Sequence, residues 1–167
     1  MRRFALLALL AIAFTPLGVE AQARLMIGGG LSQPTGDFGN DVDSGMHGRV
    51  GLQVGVPVFP LSLRGDGEFH KFSEASGVGD TKLLAGSLSV VLSLGGIGIS
   101  PYVLAGVGTY RVDNGVDSPE TDRGIHGGFG VSLGALGFGG FAEVRLVNID
   151  GVAGKTRYIP LTVGLRF

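Results

Sequence analysis

The sequence lacks cysteine and tryptophan altogether among its 167 residues. Without cysteine no disulfide can stabilise the fold, so stability must come from burial or from a membrane. The formal net charge is −1, so the chain also lacks the basic excess that nucleic-acid binding requires. We therefore expect no nucleic-acid partner.

Long hydrophobic runs are also missing after residue 23. No stretch there approaches the ~20 consecutive apolar residues of a membrane-spanning helix. The 32 glycines interrupt the apolar runs and would weaken any helix. If the chain spans a membrane, it must do so as a closed β-barrel, because an open sheet edge in lipid leaves backbone groups unpaired.

The first 23 residues are typical of a secretory signal peptide. Arg2 and Arg3 precede an apolar run over residues 4–14, and the sequence AQA at 21–23 is a small-x-small cleavage pattern. The run is too short to span a bilayer as a helix. We predict cleavage after Ala23 and assign residues 24–167 to one barrel domain.

Apolar residues recur at every second position through most of the remaining chain, which is the period of a β-strand. The intervening polar segments alternate between long and short, as outer-membrane barrels do with long external loops and tight periplasmic turns. We predict an all-β, eight-stranded antiparallel transmembrane β-barrel with up-and-down meander topology. The predicted strands cover 24–32, 46–56, 61–72, 81–94, 99–112, 125–134, 138–149 and 156–167.

The faces opposite the apolar ones carry many glycines and charges of both signs, which suits the narrow interior of a small barrel. Tyr102 and Tyr110 share one face of the fifth strand, and we assign them to an aromatic girdle on the lipid side. A soluble lipocalin-like carrier, with the apolar face inside, stays an alternative. The predicted lumen charge network comprises Arg49, Arg64, Asp66, Glu68, His70, Glu143, Arg145 and Arg166.

The chain ends in YIPLTVGLRF, a strand pattern with an aromatic last residue. With the signal peptide and the loop pattern, this ending resembles the small outer-membrane β-barrel proteins of the OmpA/OmpX-like and opacity-protein-like kind. The resemblance implies a Gram-negative-type cell envelope, outer-membrane lipid and lipopolysaccharide as surroundings, periplasmic termini and extracellular long loops. It also implies a signal recognised by the barrel-assembly machinery, formed by Ile159, Leu161, Val163, Leu165 and Phe167.

Residues for chemistry are sparse. His126 and Ser132 share a face of the sixth strand with Glu143 on the seventh, but six residues along a strand is roughly 20 Å. We predict no catalytic residues, no cofactor and no metal site, and we expect a monomer that is not an enzyme. The predicted role is structural, in envelope integrity or surface interaction, with a side-chain-filled lumen.

Alternative functions stay open at this point. They are a narrow, porin-like diffusion channel and a lipid-modifying outer-membrane enzyme. Acidic residues in the predicted loops, among them Asp37, Glu74 and Asp117, also raise the hypothesis that divalent cations bridge them to lipopolysaccharide phosphates.

Overall fold

The computed structural model describes residues 23–36, 38–56, 59–73, 80–95, 98–113, 120–135, 138–151 and 154–167. Each strand in this part of the chain pairs antiparallel with its sequence neighbours, and the last pairs with the first, so the barrel is closed. This confirms the predicted fold class. The strands are β1 (Ala23–Thr35), β2 (Gly45–Gly55), β3 (Leu61–Ser73), β4 (Asp80–Ser93), β5 (Ile99–Asp113), β6 (Glu120–Ala135), β7 (Phe138–Gly151) and β8 (Gly154–Arg166).

One short helix, α1 (Phe38–Asp41), lies between β1 and β2. Across the described ranges, no helix has the length and apolar character needed to cross a membrane. Residues 1–22 lie outside the described residues, so the signal peptide and its cleavage stay predictions.

The barrel closes along β1 and β8, from Met26 opposite Arg166 to Thr35 opposite Arg157. Beyond this register, Leu25 and Phe167 exchange backbone hydrogen bonds of 3.1 and 2.9 Å. The last residue of the chain is therefore part of the seam. We call this end of the barrel, where β1 begins and β8 ends, the terminus end, and the opposite end the loop end.

The strands at the loop end run further than predicted. β6 begins at Glu120, whereas the apolar pattern placed its start at Ile125, and pairing reaches Val112 opposite Glu120. Backbone pairing does not require apolar side chains, so the polar residues 120–124 continue the ladder. The predicted contrast between long and short connections is consequently weaker, since only residues 152–153 separate β7 from β8.

The apolar faces of the strands point outward. Along β8, Leu161, Val163 and Leu165 are 47–60% exposed while Thr162 between them is 2% exposed. The same alternation holds on the other strands, with polar and charged side chains buried in the lumen. This orientation contradicts the soluble carrier alternative, which requires the apolar face inside.

Candidate functional site

The inward face of β3 lines the lumen along most of its height. Its alternate residues follow one another from the terminus end to the loop end, and all of them are buried. Polar and charged side chains therefore occupy the middle of the barrel, with an aromatic ring above them. In order they are Ser62, Arg64, Asp66, Glu68, His70 and Phe72.

Glu143 on β7 is the centre of the charged layer. Its Oε1 accepts hydrogen bonds from Arg49 Nη1 at 2.5 Å, Arg64 Nη2 at 3.1 Å and Arg145 Nε at 2.6 Å. Its Oε2 accepts from Arg64 Nη1 at 2.8 Å and Tyr102 Oη at 2.7 Å. A carboxylate that is 2% exposed thus gains three cationic partners in place of water.

Arg145 completes the layer in the other direction. Its Nη1 donates to Glu68 Oε1 at 2.6 Å and its Nη2 donates to Asp66 Oδ2 at 2.8 Å. Arg64 Nε also donates to Asp66 Oδ2, at 3.0 Å. The layer therefore holds three arginines and three carboxylates. We call this set the charge network: Arg49, Arg64, Asp66, Glu68, Glu143 and Arg145.

Glycines on β6 make room for the charge network. Gly130 lies opposite Glu143, and Gly128 lies opposite Arg145. A Cβ atom added at Gly130 would come within 2.5 Å of the Tyr102 hydroxyl, and one at Gly128 within 2.9 Å of the Arg145 Cα. The small residues predicted for the interior face thus have a specific function, because they free the lumen volume that the long side chains fill.

A row of buried polar groups lies on the loop side of the charge network. Ser32 Oγ is 3.0 Å from His47 Nδ1 and 2.8 Å from His70 Nδ1. His70 Nε2 is 3.2 Å from Glu68 Oε2, and His47 Nε2 is 2.9 Å from Thr162 Oγ1. One assignment satisfies all four bonds with neutral imidazoles, if each group donates to the next in the order Thr162, His47, Ser32, His70, Glu68.

Ser32, His70 and Glu68 have the connectivity of a nucleophile, a base and an orienting acid. Ser32 and His70 are each 0% exposed, however, so no substrate can reach the hydroxyl. The His70 ring also stacks on Phe72 and meets Tyr158 edge-on, so it lies among other buried rings. These residues therefore form a packed polar layer and not an accessible catalytic site.

Apolar side chains close the lumen at the loop end. Phe38 of α1 packs edge-on against Phe72 with ring centroids 5.5 Å apart, so the helix contacts the buried side chains at the loop end. Together with the charge network, this cluster gives the lumen two layers of buried side chains. We call it the apolar plug: Val42, Phe72, Leu83, Ala85, Tyr110, Val147, Ile149 and Tyr158.

The structure brings most of the predicted lumen residues together. Six of them are the charge network, and His70 joins it through Glu68. Arg166 does not take part: it lies half-buried at the terminus end, and no described hydrogen bond or ion pair links it to the network. Residues of the predicted assembly signal point outward at the seam, where Leu161, Val163, Leu165 and Phe167 are exposed.

The predicted aromatic girdle was wrong. Tyr102 and Tyr110 are 6% and 2% exposed, and both side chains point into the lumen. On β5 the outward positions belong instead to Val103 and Val107. The tyrosines are inside because their hydroxyls have partners there, Glu143 for Tyr102 and His126 for Tyr110.

Three members of the buried polar row were not predicted as site residues, namely Ser32, His47 and Thr162. The alternation of faces could have found them. His47 shares the inward face of β2 with Arg49, Thr162 shares that of β8 with Arg166, and Ser32 lies on the same face of β1 as Gly28 and Gly30. The polar set considered for hydrolysis does not converge. His126 bonds to Ser89 at 2.8 Å, whereas Ser132 bonds to the Ser100 carbonyl at 3.2 Å.

A belt of exposed basic side chains lies on the outside of the barrel at the loop end, on β3, β4, β5, β6 and β8. Two of its members, Lys71 and Lys82, lie directly opposite each other on β3 and β4. Acidic neighbours at the loop end include Asp43, Asp113 and Asp150, and the described part of the terminus end has no outward charge. We call this belt the basic rim: Lys71, Lys82, Arg111, Arg123 and Arg157.

No group of three or more histidine, cysteine or acidic residues among the described residues is placed to hold a metal ion. Asp37, Glu74 and Asp117 lie outside the described residues, so the hypothesis of cation bridging at the loops stays a prediction. Asp122 and Asp150, which were predicted to lie in loops, are part of β6 and β7.

A closed barrel with an apolar outer wall and a charged lumen defines a membrane-spanning β-barrel protein. The family described as "Outer membrane protein beta-barrel domain" matches residues 4–167. The chain therefore belongs to this family, whose description implies an outer-membrane location. No curated protein matches the chain.

Several solved structures share the fold of this chain. Neisserial surface protein A is 20% identical with a TM-score of 0.70, covering 86% of this chain and 95% of its own. Ail, the attachment invasion locus protein of Yersinia pestis, is 16% identical with a TM-score of 0.54, covering 89% and 100%. The N-terminal β-barrel domain of Pseudomonas aeruginosa OprF is 16% identical with a TM-score of 0.53, covering 87% and 96%.

Proposed function

We propose that this chain is a sealed outer-membrane barrel with a structural and surface-interaction role, and that it is neither a diffusion channel nor an enzyme. The charge network is the observation that carries this proposal. Its three arginines and three carboxylates bond across the lumen from β2 and β3 to β7. Charges that are already paired with each other do not coordinate a passing ion, and wide pores need barrels of about 16 or more strands.

The apolar plug supports the same proposal from the loop end. Phe72, Leu83 and Tyr158 are each 0% exposed and lie in one packed cluster over the polar layer. An apolar constriction above a paired charge layer opposes both water and ions. A surface role is then left to the loop end, the only end where the described outer wall carries charge.

Conductance of the folded protein in planar bilayers tests whether the lumen is sealed. We expect no steady single channels from the wild-type barrel. The double variant Arg64→Ala with Glu143→Ala removes one cation and one anion that bond across the lumen, so it should raise the leak. Steady wild-type channels whose conductance changes on either single substitution would overturn the proposal in favour of a narrow diffusion channel.

We further propose that the loop end faces the cell exterior and that the termini are periplasmic. The basic rim supports this orientation, because basic side chains at a membrane surface are attracted to anionic lipid headgroups. Three of the four connections at the loop end have six or more residues, whereas the three at the terminus end have five or fewer, which suits periplasmic turns at the terminus end.

The absence of cysteine makes the orientation easy to measure. Ser73→Cys at the loop end should react in intact cells with a maleimide-polyethylene glycol too large for general porins. Leu94→Cys at the terminus end should react only after the outer membrane is opened. The reverse labelling pattern would invert the proposed topology.

The outward face of β8 supports recognition of the chain by the barrel-assembly machinery. Phe167 is exposed at the seam while its backbone bonds to Leu25, so its ring is available on the lipid side. Phe167→Ser should lower the amount of heat-modifiable protein in the outer membrane without changing refolding into vesicles. Phe59→Ser, an exposed aromatic outside β8, is the matched control, and an equal loss in both variants would argue against the signal.

A further inference from the structure

A groove of about 600 Å³ lies on the outer wall of the barrel, across β4, β5 and β6 and reaching β7. Leu88, Val107 and Ile125 form its side nearer the terminus end, as one row of cross-strand partners. Thr109 and Arg123 form the next row towards the loop end. The groove therefore runs from the apolar wall into the basic rim.

The groove is recessed because Gly86 occupies the β4 position in the second row, beside Thr109. A Cβ at Gly86 would have only Thr109 Oγ1 within reach, at 3.9 Å. On its other side lies Gly67 of β3, where a Cβ would meet nothing within 4 Å. Gly67 and Gly86, in the row next to the aliphatic side chains, thus leave a depression that no side chain of the described barrel fills.

The position of the groove determines what covers it. Its aliphatic row belongs to the outward face, where Leu88, Val107 and Ile125 are 60–69% exposed, so lipid is the surrounding medium. At the rim, Arg123 lies in the lining and Arg111 is outward on β5, one row nearer the loop end. An occupant therefore needs an acyl chain at one end and an anionic group at the other.

We propose that this groove binds one lipid of the outer leaflet with a net negative, phosphate-bearing headgroup, with its phosphate on Arg123 and Arg111 and an acyl chain over Leu88, Val107 and Ile125. The assignment to the outer leaflet rests on the orientation in the proposed function. Asp150 lies opposite Arg123 across β6 and β7 and also lines the groove. Its carboxylate competes with the phosphate for Arg123. Removing this carboxylate should therefore strengthen lipid binding, whereas removing the Arg123 charge should weaken it.

Native mass spectrometry of the folded barrel in detergent, titrated with diphosphoryl lipid A or with phosphatidylcholine, tests the site. We expect one preferred lipid A adduct on the wild-type protein and no preferred phosphatidylcholine adduct. Arg123→Gln should weaken the lipid A adduct roughly fivefold, as expected for one arginine at an anionic surface. Asp150→Asn should strengthen it, and Val107→Trp should abolish it by filling the groove.

Matched controls separate the groove from the general rim and wall. Arg157→Gln removes a basic rim charge outside the groove, and Val163→Trp adds an indole to the outward face of β8. Both should leave the preferred adduct unchanged, and heat modifiability on gels should verify that every variant is folded. Leu88→Trp is a second groove-filling variant in case Val107→Trp does not fold.

Three outcomes would overturn the site. They are equal weakening by Arg123→Gln and Arg157→Gln, no preference for lipid A over phosphatidylcholine, and an unchanged adduct when the groove is filled. Because binding is measured on folded protein in detergent, any of these leaves the sealed lumen and its conductance test unaffected. Steady wild-type channels would conversely overturn the proposed function and not the lipid site.

Discussion

Arg64 and Glu143 face each other across the lumen and share two parallel hydrogen bonds, 2.8 Å from Nη1 to Oε2 and 3.1 Å from Nη2 to Oε1. They lie 79 positions apart in the sequence, on β3 and β7. This fork geometry is specific to arginine with a carboxylate. It joins the two sides of the barrel in addition to the backbone ladder.

Removing the Glu143 carboxylate should be strongly destabilising. Glu143→Leu leaves Arg49, Arg64 and Arg145 without their shared acceptor, and breaking a buried ion pair costs about 3–5 kcal/mol. Guanidinium unfolding in lipid vesicles, followed by heat modifiability, measures the loss. Asp150→Asn on the same strand is the exposed control and should change stability by less than about 1 kcal/mol. A stability loss of that small size for Glu143→Leu would contradict the central role of this residue.

Two buried tyrosines should respond differently to loss of the hydroxyl. Tyr102 Oη donates to Glu143, so Tyr102→Phe should destabilise the barrel by about 1.5–3 kcal/mol. Tyr158 Oη has no hydrogen-bond partner among the described residues, so Tyr158→Phe should be neutral or stabilising. The same unfolding measurement compares both, and equal losses would show that the Glu143 contact contributes nothing specific.

Two strand glycines, one on the inward and one on the outward face of the barrel wall, should differ in their tolerance of substitution by alanine. A Cβ at Gly30 of β1 would overlap the Leu161 carbonyl of β8, whereas a Cβ at Gly48 of β2 meets nothing within 4 Å. Gly30→Ala should therefore push the seam apart and cost about 1–3 kcal/mol, while Gly48→Ala should not destabilise. The folded fraction after dilution into vesicles reports the difference. Similar refolding of both variants would mean that the seam is looser than the register implies.

The absence of tryptophan allows a single engineered indole to report its own surroundings. The tryptophan fluorescence of Val103→Trp should be quenched strongly by brominated lipid, because Val103 faces outward. The fluorescence of Tyr102→Trp should be quenched weakly. Leu104→Trp is a second inward position in case Tyr102→Trp does not fold. Strong quenching of Tyr102→Trp in folded protein would mean that residue 102 faces lipid, as the girdle prediction assumed, and would contradict the structure.

For most strands, the sequence predicts which face points into the lumen, because polar and apolar residues alternate clearly along them. On β3, Arg64, Asp66 and Glu68 alternate with Leu63, Gly65 and Gly67, so one face can only be inside a lipid barrel. On β5 both faces are largely apolar, with Tyr102 and Leu104 on one and Val103 and Val107 on the other. Periodicity alone does not choose between them there, and this is why the tyrosines were assigned to the wrong side.

Partners across the lumen could not be predicted from the sequence. The alternation identifies which residues point inward, but the bonds of Glu143 depend on the stagger between strands that closure imposes. Ser32 was missed for a related reason, because its partners His47 and His70 come from two other strands. The start of β6 was misplaced because its first residues are polar and carry no strand periodicity.

The charge network has a consequence for the order in which the barrel assembles. Arg49, Arg64, Asp66 and Glu68 on β2 and β3 sum to zero charge, as do Glu143 and Arg145 on β7. Before closure, Arg64 can already bond to Asp66, and Arg145 to Glu143, since each pair is two residues apart on one strand. The lumen-facing charges of each segment therefore sum to zero as it enters the bilayer. Closure then adds the hydrogen bonds between the two segments, so the last step of assembly replaces hydration water at the charge network by protein partners and leaves the net charge of the lumen unchanged.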